Sequence, residues 1–239
     1  MWTQAAMIGK TFFASDEISQ NPPYPTTAAG LQMLVNGVPS AIYSWEQNAF
    51  MNFVIPWEAP TSGTAEFLLF NPATQEIVAA GNSRMTVADP AFRTTNSQGW
   101  GQVLAINSTN GTLNGPQNPV GLGEILTLSL TGQGLVANPP SDGFAPSGPT
   151  PTDPLDLHIF INGAEVPAQD ILFSGLDSTY PGLWTINVRI PNSLTVGKAI
   201  PILVLMRGVL SNWGFDPSNS NNDVFLTVPN GRLTTIAVK

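Results

Sequence analysis

Apolar and polar residues alternate with period two in short runs at Leu31–Val35, Phe50–Ile55, Glu66–Phe70, Gln102–Ile106, Ile125–Leu130, Leu157–Ile161, Trp184–Ile190, Ile202–Met206 and Leu233–Val238. Successive side chains of a strand point to opposite faces, so each run predicts a strand with one covered and one wet face. Between the runs lie clusters of Gly, Pro, Asn, Asp and Ser. With 22 Gly and 22 Pro in 239 residues, no helical period survives more than a few positions. The pattern predicts an all-β chain.

Two parts of the pattern repeat. Leu31-Gln-Met-Leu-Val-Asn-Gly37 matches Leu157-His-Ile-Phe-Ile-Asn-Gly163, and both end in the Asn-Gly pair favoured in tight hairpin turns. Asn52-Phe-Val-Ile-Pro56 then matches Asn187-Val-Arg-Ile-Pro191, and Thr61-Ser-Gly-Thr-Ala65 matches Thr195-Val-Gly-Lys-Ala199. Order and spacing agree, which predicts two tandem Greek-key β-sandwiches of immunoglobulin-like type: residues 1–89, and residues 90–239 with an inserted excursion at 213–232. The boundary is placed at Asp89-Pro90, after a last strand expected at Arg84–Ala88. The second copy has two strands before its Asn-Gly hairpin, Gln102–Ile106 and Ile125–Leu130. The first has room for one, expected within Ala6–Ala14, so the first sandwich is predicted to lack a strand.

Composition narrows the function. Apolar residues make up 42% and charged residues only 10%, so the surface is covered by uncharged polar side chains and turn residues. A net charge of −8 with eight Lys and Arg argues against a phosphate-backbone partner, since nucleic-acid affinity comes from clustered cations. The absence of Cys excludes disulfides and thiolate zinc sites. Met1–Lys10 has neither the basic n-region and apolar core of a signal peptide nor the length of a membrane anchor. An exported protein with this start would be a processed form or a fragment.

Signals for catalysis are sparse. His158 is the only histidine, and its place between Leu157 and Ile159 predicts an outward-facing strand residue. No nucleophile elbow, zinc-protease helix or phosphate loop occurs. The close acidic pairs Asp16-Glu17 and Asp153 with Asp156 sit in turn-like stretches. Opposed glycosidase-type carboxylates would come from distant strands, and a sequence does not report their spacing. Asp216, Ser218, Ser220, Asn222 and Asp223 alternate oxygen-bearing side chains without the central glycine and final glutamate of a calcium loop, which favours a solvated tip. Asn107-Ser-Thr and Asn110-Gly-Thr are formal glycosylation sequons in a turn-rich loop. No catalytic, cofactor-binding or metal-ligating residue is expected. Of six tryptophans, Trp184 alternates with Ile186 and Val188 and is assigned to a core. Trp2, Trp45, Trp57 and Trp213 lie in or beside loops, where an aromatic suits a protein contact or a sugar platform.

The series Leu31–Gly37, Phe53-Val-Ile-Pro56, Asn107 to Gly111, Pro119 to Gly134, Asp142-Gly143, Ile161-Asn-Gly163, Phe173-Ser-Gly-Leu176, Pro181 to Pro191 and Thr235-Ile-Ala-Val-Lys239 resembles the Solibacter-type C-terminal domain of secreted proteins of Acidobacteria. The resemblance runs from about Leu31 onward. It implies an immunoglobulin-like β-sandwich and export to the extracellular space or cell surface, and no reaction. Trp213–Arg232 departs from the pattern, which usually runs straight into the last strand, and further strands normally precede the Leu31 hairpin.

A sandwich short of one strand exposes a backbone edge and about three inward side chains, each worth roughly 1.5–3 kcal/mol when buried. A strand from another copy would cover that gap, and head-to-tail fitting would produce a filament. Trp2, Met7, Ile8, Phe12 and Phe13 make the N-terminal stretch an apolar donor or acceptor in such an exchange, with Trp45 and Trp57 as further contact residues. The expected function is a non-enzymatic structural subunit whose partners are copies of itself, without cofactor, nucleic acid or membrane insertion. The alternative is a carbohydrate- or protein-binding stalk module of a larger adhesin-like protein, for which polysaccharide is the expected ligand.

Overall fold

A computed structural model describes residues 2–6, 21–46, 50–153, 156–211 and 233–239. Among them there is no α-helix, a 3₁₀ turn occupies Ala168–Asp170, and most of the remaining regular structure is strand. The chain is all-β, with several mainly antiparallel sheets. It packs as two compact units. One comprises Met1–Ala88, Gly132–Thr152 and Gly175–Leu183; the other comprises Asp89–Thr131, Asp153–Ser174 and Trp184–Lys239. The change of unit after Ala88 falls beside Asp89-Pro90, whereas the linear reading assigns 132–152 and 175–183 to the later part of the chain.

The first unit contains β1 (Trp2–Ala6), β2 (Gln32–Val35), β3 (Val38–Pro39), β4 (Ala41–Glu46), β5 (Phe50–Val54), β6 (Thr64–Asn71) and β7 (Glu76–Arg84). They form two sheets, ordered β1-β5-β4 and β3-β2-β6-β7. Met33, Val35, Ala65 and Leu69 of one sheet and Ile42, Trp45, Met51 and Phe53 of the other share one buried cluster, the core of a two-layer sandwich. The later segment 132–152 is tied in by backbone: the Tyr24 N–H donates to the Gly143 carbonyl at 2.8 Å. Gly143 has φ +80°, and a Cβ there would lie 2.5 Å from the Tyr24 carbonyl oxygen, so only glycine fits this close approach.

The second unit contains β8 (Ala91–Phe92), β9 (Gly101–Gln102), β10 (Ala105–Asn107), β11 (Thr112–Leu113), β12 (Ile125–Thr131), β13 (Leu157–Ile161), β14 (Ala164–Glu165), β15 (Ile171–Leu176), β16 (Trp184–Arg189), β17 (Gly197–Met206), β18 (Val209–Leu210) and β19 (Thr234–Val238). One sheet runs β11-β10-β12-β16-β15, with β8 also on β12; the other runs β14-β13-β17-β19-β9, with β18 also on β17. Each sheet buries one face. Leu126, Leu128 and Leu130 alternate inward on β12, as do Trp184, Ile186 and Val188 on β16 and Ile202, Val204 and Met206 on β17. Trp184 is fully buried, as its alternation predicts, and its Nε1–H donates to Ser174 Oγ at 2.9 Å.

The repeat has a structural counterpart. Asn36-Gly37 and Asn162-Gly163 all have positive φ, at 47°, 80°, 54° and 78°, the signature of the type I′ hairpin turn. The N–H groups of Asn36 and Asn162 donate to Glu66 and Pro201 carbonyls at 2.9 and 2.8 Å. By strand order β1-β5-β4 corresponds to β12-β16-β15, and β3-β2-β6-β7 to β14-β13-β17-β19. Of the strand expected within Ala6–Ala14, residues 7–14 lie outside the described residues, and the strand paired with β5 is Trp2–Ala6. Two expectations change in detail. The run Gln102–Ile106 divides into β9 and β10, because β9 lies on β19 and β10 on β12. The last strand of the first unit is Glu76–Arg84, not Arg84–Ala88.

Candidate functional site: the sheet edges of the first unit

In the second unit the outer edge of β19 is covered by the unit's own chain. The β9 strand lies parallel to it at Thr234 and Thr235, and the Gly101 and Val103 N–H groups donate to the Leu233 and Thr235 carbonyls at 2.8 and 2.9 Å. Farther along, the Asn114 side chain takes the place of a strand. Its Oδ1 accepts the Ala237 N–H at 2.9 Å, and its Nδ2 donates to the Ala237 carbonyl at 2.9 Å and to Asn107 Oδ1 at 3.0 Å. Val120 finishes the edge by donating to Ala237 and accepting from the Lys239 N–H. The outer edge of β12 is likewise covered, by β10 and β8.

The corresponding edges of the first unit have no such cover among the described residues. The β1 strand pairs with β5 from Trp2↔Val54 to Ala6↔Phe50 and ends its sheet; β7 pairs with β6 and ends the other. Among the described residues nothing corresponds to β8, β9, β10 or β11. Thus the N-terminal strand completes the inner part of its sheet within the same chain, and the next strand position outward is vacant among the described residues.

Register identifies which backbone groups face outward. The Ile42 N–H donates to the Pro25 carbonyl and so points away from β5, which turns the backbone of its neighbour Phe53 toward β1. Thr3, opposite Phe53, therefore bonds to β5, and Gln4 presents its N–H and C=O to the open side. On β6, Glu66 exchanges bonds with Asn36, through Asn36 N–H to its carbonyl and its own N–H to Asn36 Oδ1 at 2.8 Å. Its β7 partner Asn82 consequently faces outward, as do Ala80 and Arg84 by alternation.

The expected contact residues are distributed unevenly. Trp2 lies on β1. Met7, Ile8, Phe12 and Phe13 lie outside the described residues, as do Trp213 and the whole run Asp216–Asp223. Trp45 is not a surface contact: it is 4% exposed and packs in the core on β4. The cause is a β-bulge between Ile42 and Ser44, which puts Ile42 opposite Phe53 and Trp45 opposite Met51, so two residues an odd number of positions apart both point inward. Asn107 is also buried, with its Nδ2 donating to Thr112 Oγ1 and to the Asn118 carbonyl, which takes its amide out of reach of a glycan; Asn110 is exposed. His158 faces outward and meets Glu165 across the hairpin, Nδ1 to Oε1 at 2.6 Å.

Trp57 is half-buried on the first unit and contributes, with Ile55, Met85, Val87 and Leu135, to a surface groove. Its backbone N–H donates to Asp142 Oδ1 at 3.4 Å. Burial and the neighbouring Glu58 carboxylate both push the Asp142 carboxyl above its ordinary range, partly offset by that hydrogen bond. Among the described residues no group of three or more His, Cys, Asp or Glu is placed to hold a metal ion.

Strand β7 has no strand pattern in the sequence. Its residues Glu76-Ile-Val-Ala-Ala-Gly-Asn-Ser-Arg84 show no period-two burial, because seven of the nine positions are exposed and the other two adjoin one another. The signal that locates it is the turn before it: Asn71 Oδ1 accepts the N–H groups of Ala73 and Thr74, and Gln75 has φ +59°, so the chain reverses directly after β6. No protein-family model, curated protein or solved structure matches this chain.

Proposed function

We propose that the chain is a non-enzymatic extracellular structural subunit in which two immunoglobulin-like sandwiches are joined in tandem, and that copies assemble head to tail through the strand position vacant in the first. The observation that carries this reading is the difference between otherwise corresponding strand orders: β12 is flanked by β10, and β1 is flanked by nothing among the described residues. The orders β10-β12-β16-β15 and β14-β13-β17-β19 support an immunoglobulin-like assignment, with the A, B, E and D strands in one sheet and C′, C, F and G in the other. The resemblance to the acidobacterial secreted domain supports export and relationship to that class. In this reading Trp2–Ala6 is the acceptor, and a strand of the next copy lies antiparallel along it as β10 lies along β12. Because donor and acceptor are different surfaces, the contact does not close on itself, and a filament results.

Gln4→Pro tests the proposal. It removes an outward N–H and leaves the bonds of Thr3 and Ala5 to β5 in place. Wild-type protein is expected to form concentration-dependent polymers by sedimentation and electron microscopy. The variant is expected to keep its circular dichroism and lose the polymers. Wild-type protein that stays below polymer size at every concentration, or polymers indifferent to the proline, would overturn the reading. The groove beside Trp57 favours the second reading, a carbohydrate- or protein-binding stalk module. Saturable quenching of tryptophan fluorescence by a polysaccharide in non-polymerising protein would support it instead.

A further inference from the structure

The two corresponding hairpins differ by a single hydrogen bond. Asn36-Gly37 and Asn162-Gly163 turn with nearly the same backbone, φ 47° and 80° against 54° and 78°, and all four residues are exposed. In the first hairpin the Glu66 backbone meets Asn36 with both its groups: its carbonyl accepts the Asn36 N–H, and its own N–H donates to Asn36 Oδ1 at 2.8 Å. By register the equivalent position in the second hairpin is Pro201, whose carbonyl accepts the Asn162 N–H at 2.8 Å. Proline has no N–H to give, so the Asn162 carboxamide lacks the bond that holds Asn36, and no other group among the described residues bonds to it.

An unheld carboxamide followed by glycine is chemically reactive. The Gly163 nitrogen attacks Asn162 Cγ, its proton leaves with the carboxamide nitrogen as ammonia, and a five-membered succinimide forms. Water then opens the ring at either carbonyl, giving aspartate or isoaspartate. Ring closure requires the carboxamide to swing onto the following nitrogen, an arrangement that a pinned Oδ1 resists. Other Asn-Gly pairs among the described residues are held. Asn110 Oδ1 accepts the Thr112 N–H and hydroxyl at 3.0 and 2.7 Å, and the Gly111 N–H is itself donated to the Asn107 carbonyl. Asn114 is 1% exposed and bonded through both ends of its carboxamide. Asn230-Gly231 lies outside the described residues.

We propose that Asn162 is a site of spontaneous deamidation in this chain, converting faster than Asn36, Asn110 and Asn114 because Pro201 supplies no N–H to hold it. The product carries one more negative charge, and as isoaspartate it inserts a methylene into the backbone of a two-residue turn. That loosens the pairing of Ile161 with Ala164 and of Phe160 with Glu165 in the β13–β14 hairpin. The site lies on the second unit, and its chemistry is independent of any head-to-tail assembly.

The test is incubation of the folded protein in mildly alkaline buffer, with each Asn-Gly peptide followed by mass spectrometry after proteolysis. Asn162 is expected to convert about two- to tenfold faster than Asn36, the range set by one hydrogen bond. Pro201→Ala supplies an N–H opposite Asn162 and is expected to slow it toward the Asn36 rate. Glu66→Pro removes the N–H that holds Asn36 and is expected to raise its rate toward that of Asn162, whereas Glu66→Ala keeps that N–H and leaves the rate unchanged. Circular dichroism checks that each variant is folded, and if Glu66→Pro is not, Pro201→Ala decides by itself. Equal rates at Asn36 and Asn162 in the wild type, faster conversion at Asn110 or Asn114, or an Asn162 rate indifferent to Pro201→Ala would overturn the proposal.

Discussion

The two units follow corresponding strand orders and finish their edges differently. In the second, residues 89–131 supply β8 to β11 and the Asn114 side chain, and the closing strand β19 is hydrogen-bonded along its outer side. In the first, among the described residues, one strand precedes the hairpin and the sheets end at β1 and β7 with no further strand beside them. An exposed edge costs little in water, because its N–H and C=O groups are hydrated, yet it remains a template for another strand. Among the described residues, a few residues of edge cover are what separate the two units.

The largest expected effect falls on the first unit. Gly143→Ala forces a Cβ against the Tyr24 carbonyl in a left-handed backbone conformation, and should destabilise by on the order of 3 kcal/mol. Hydrogen exchange is expected to show protection falling across β2 to β7, with β12 to β19 spared. Equal loss in both units would break the distinction between them.

Next in size is Asn114→Ala, which strips the side-chain cover from β19 and leaves the buried Ala237 N–H and Asn107 Oδ1 without these bonds. The expected cost is about 2–3 kcal/mol in chemical denaturation. If edge cover is what separates the two units, this variant should also self-associate more than wild type by sedimentation, sharpening the comparison. A destabilised variant without added association would weaken it.

The smallest effect concerns pH. The Asp142 carboxyl is raised above its ordinary value of 3.8, chiefly by burial and then by Glu58. Between the ordinary and the raised value the folded state holds more protons than the unfolded one, so this group makes stability fall as pH rises through that window. Asp142→Asn keeps an oxygen for the Trp57 N–H and removes the titration. Its stability relative to wild type is expected to increase from acid toward neutral pH, measured by denaturation at each pH. A difference independent of pH would remove Asp142 from the account.

Much of the fold was legible because burial imposes a period. Runs such as Ile125–Leu130 and Trp184–Ile190 bury alternate residues, and the Asn-Gly pairs fix their hairpins through positive φ. Legibility failed where the period did. The sequence places Trp45 in or beside a loop, whereas it sits on β4, where a bulge at Tyr43 turns it inward. Strand β7 was unread because it has almost no inward face, and the burial of Asn107 depends on Asn114, Thr112 and Asn118 converging on it.

What the sequence by itself determined was the all-β class and the internal repeat, since each follows from residue order and local conformational preference. Tertiary structure alone decided which strands end the sheets among the described residues, which backbone groups point out of them, and that segment 132–152 belongs with the first unit. Those depend on register and on contacts between residues far apart in the chain, where a single bulge turns a side chain from one face to the other and no local pattern records it.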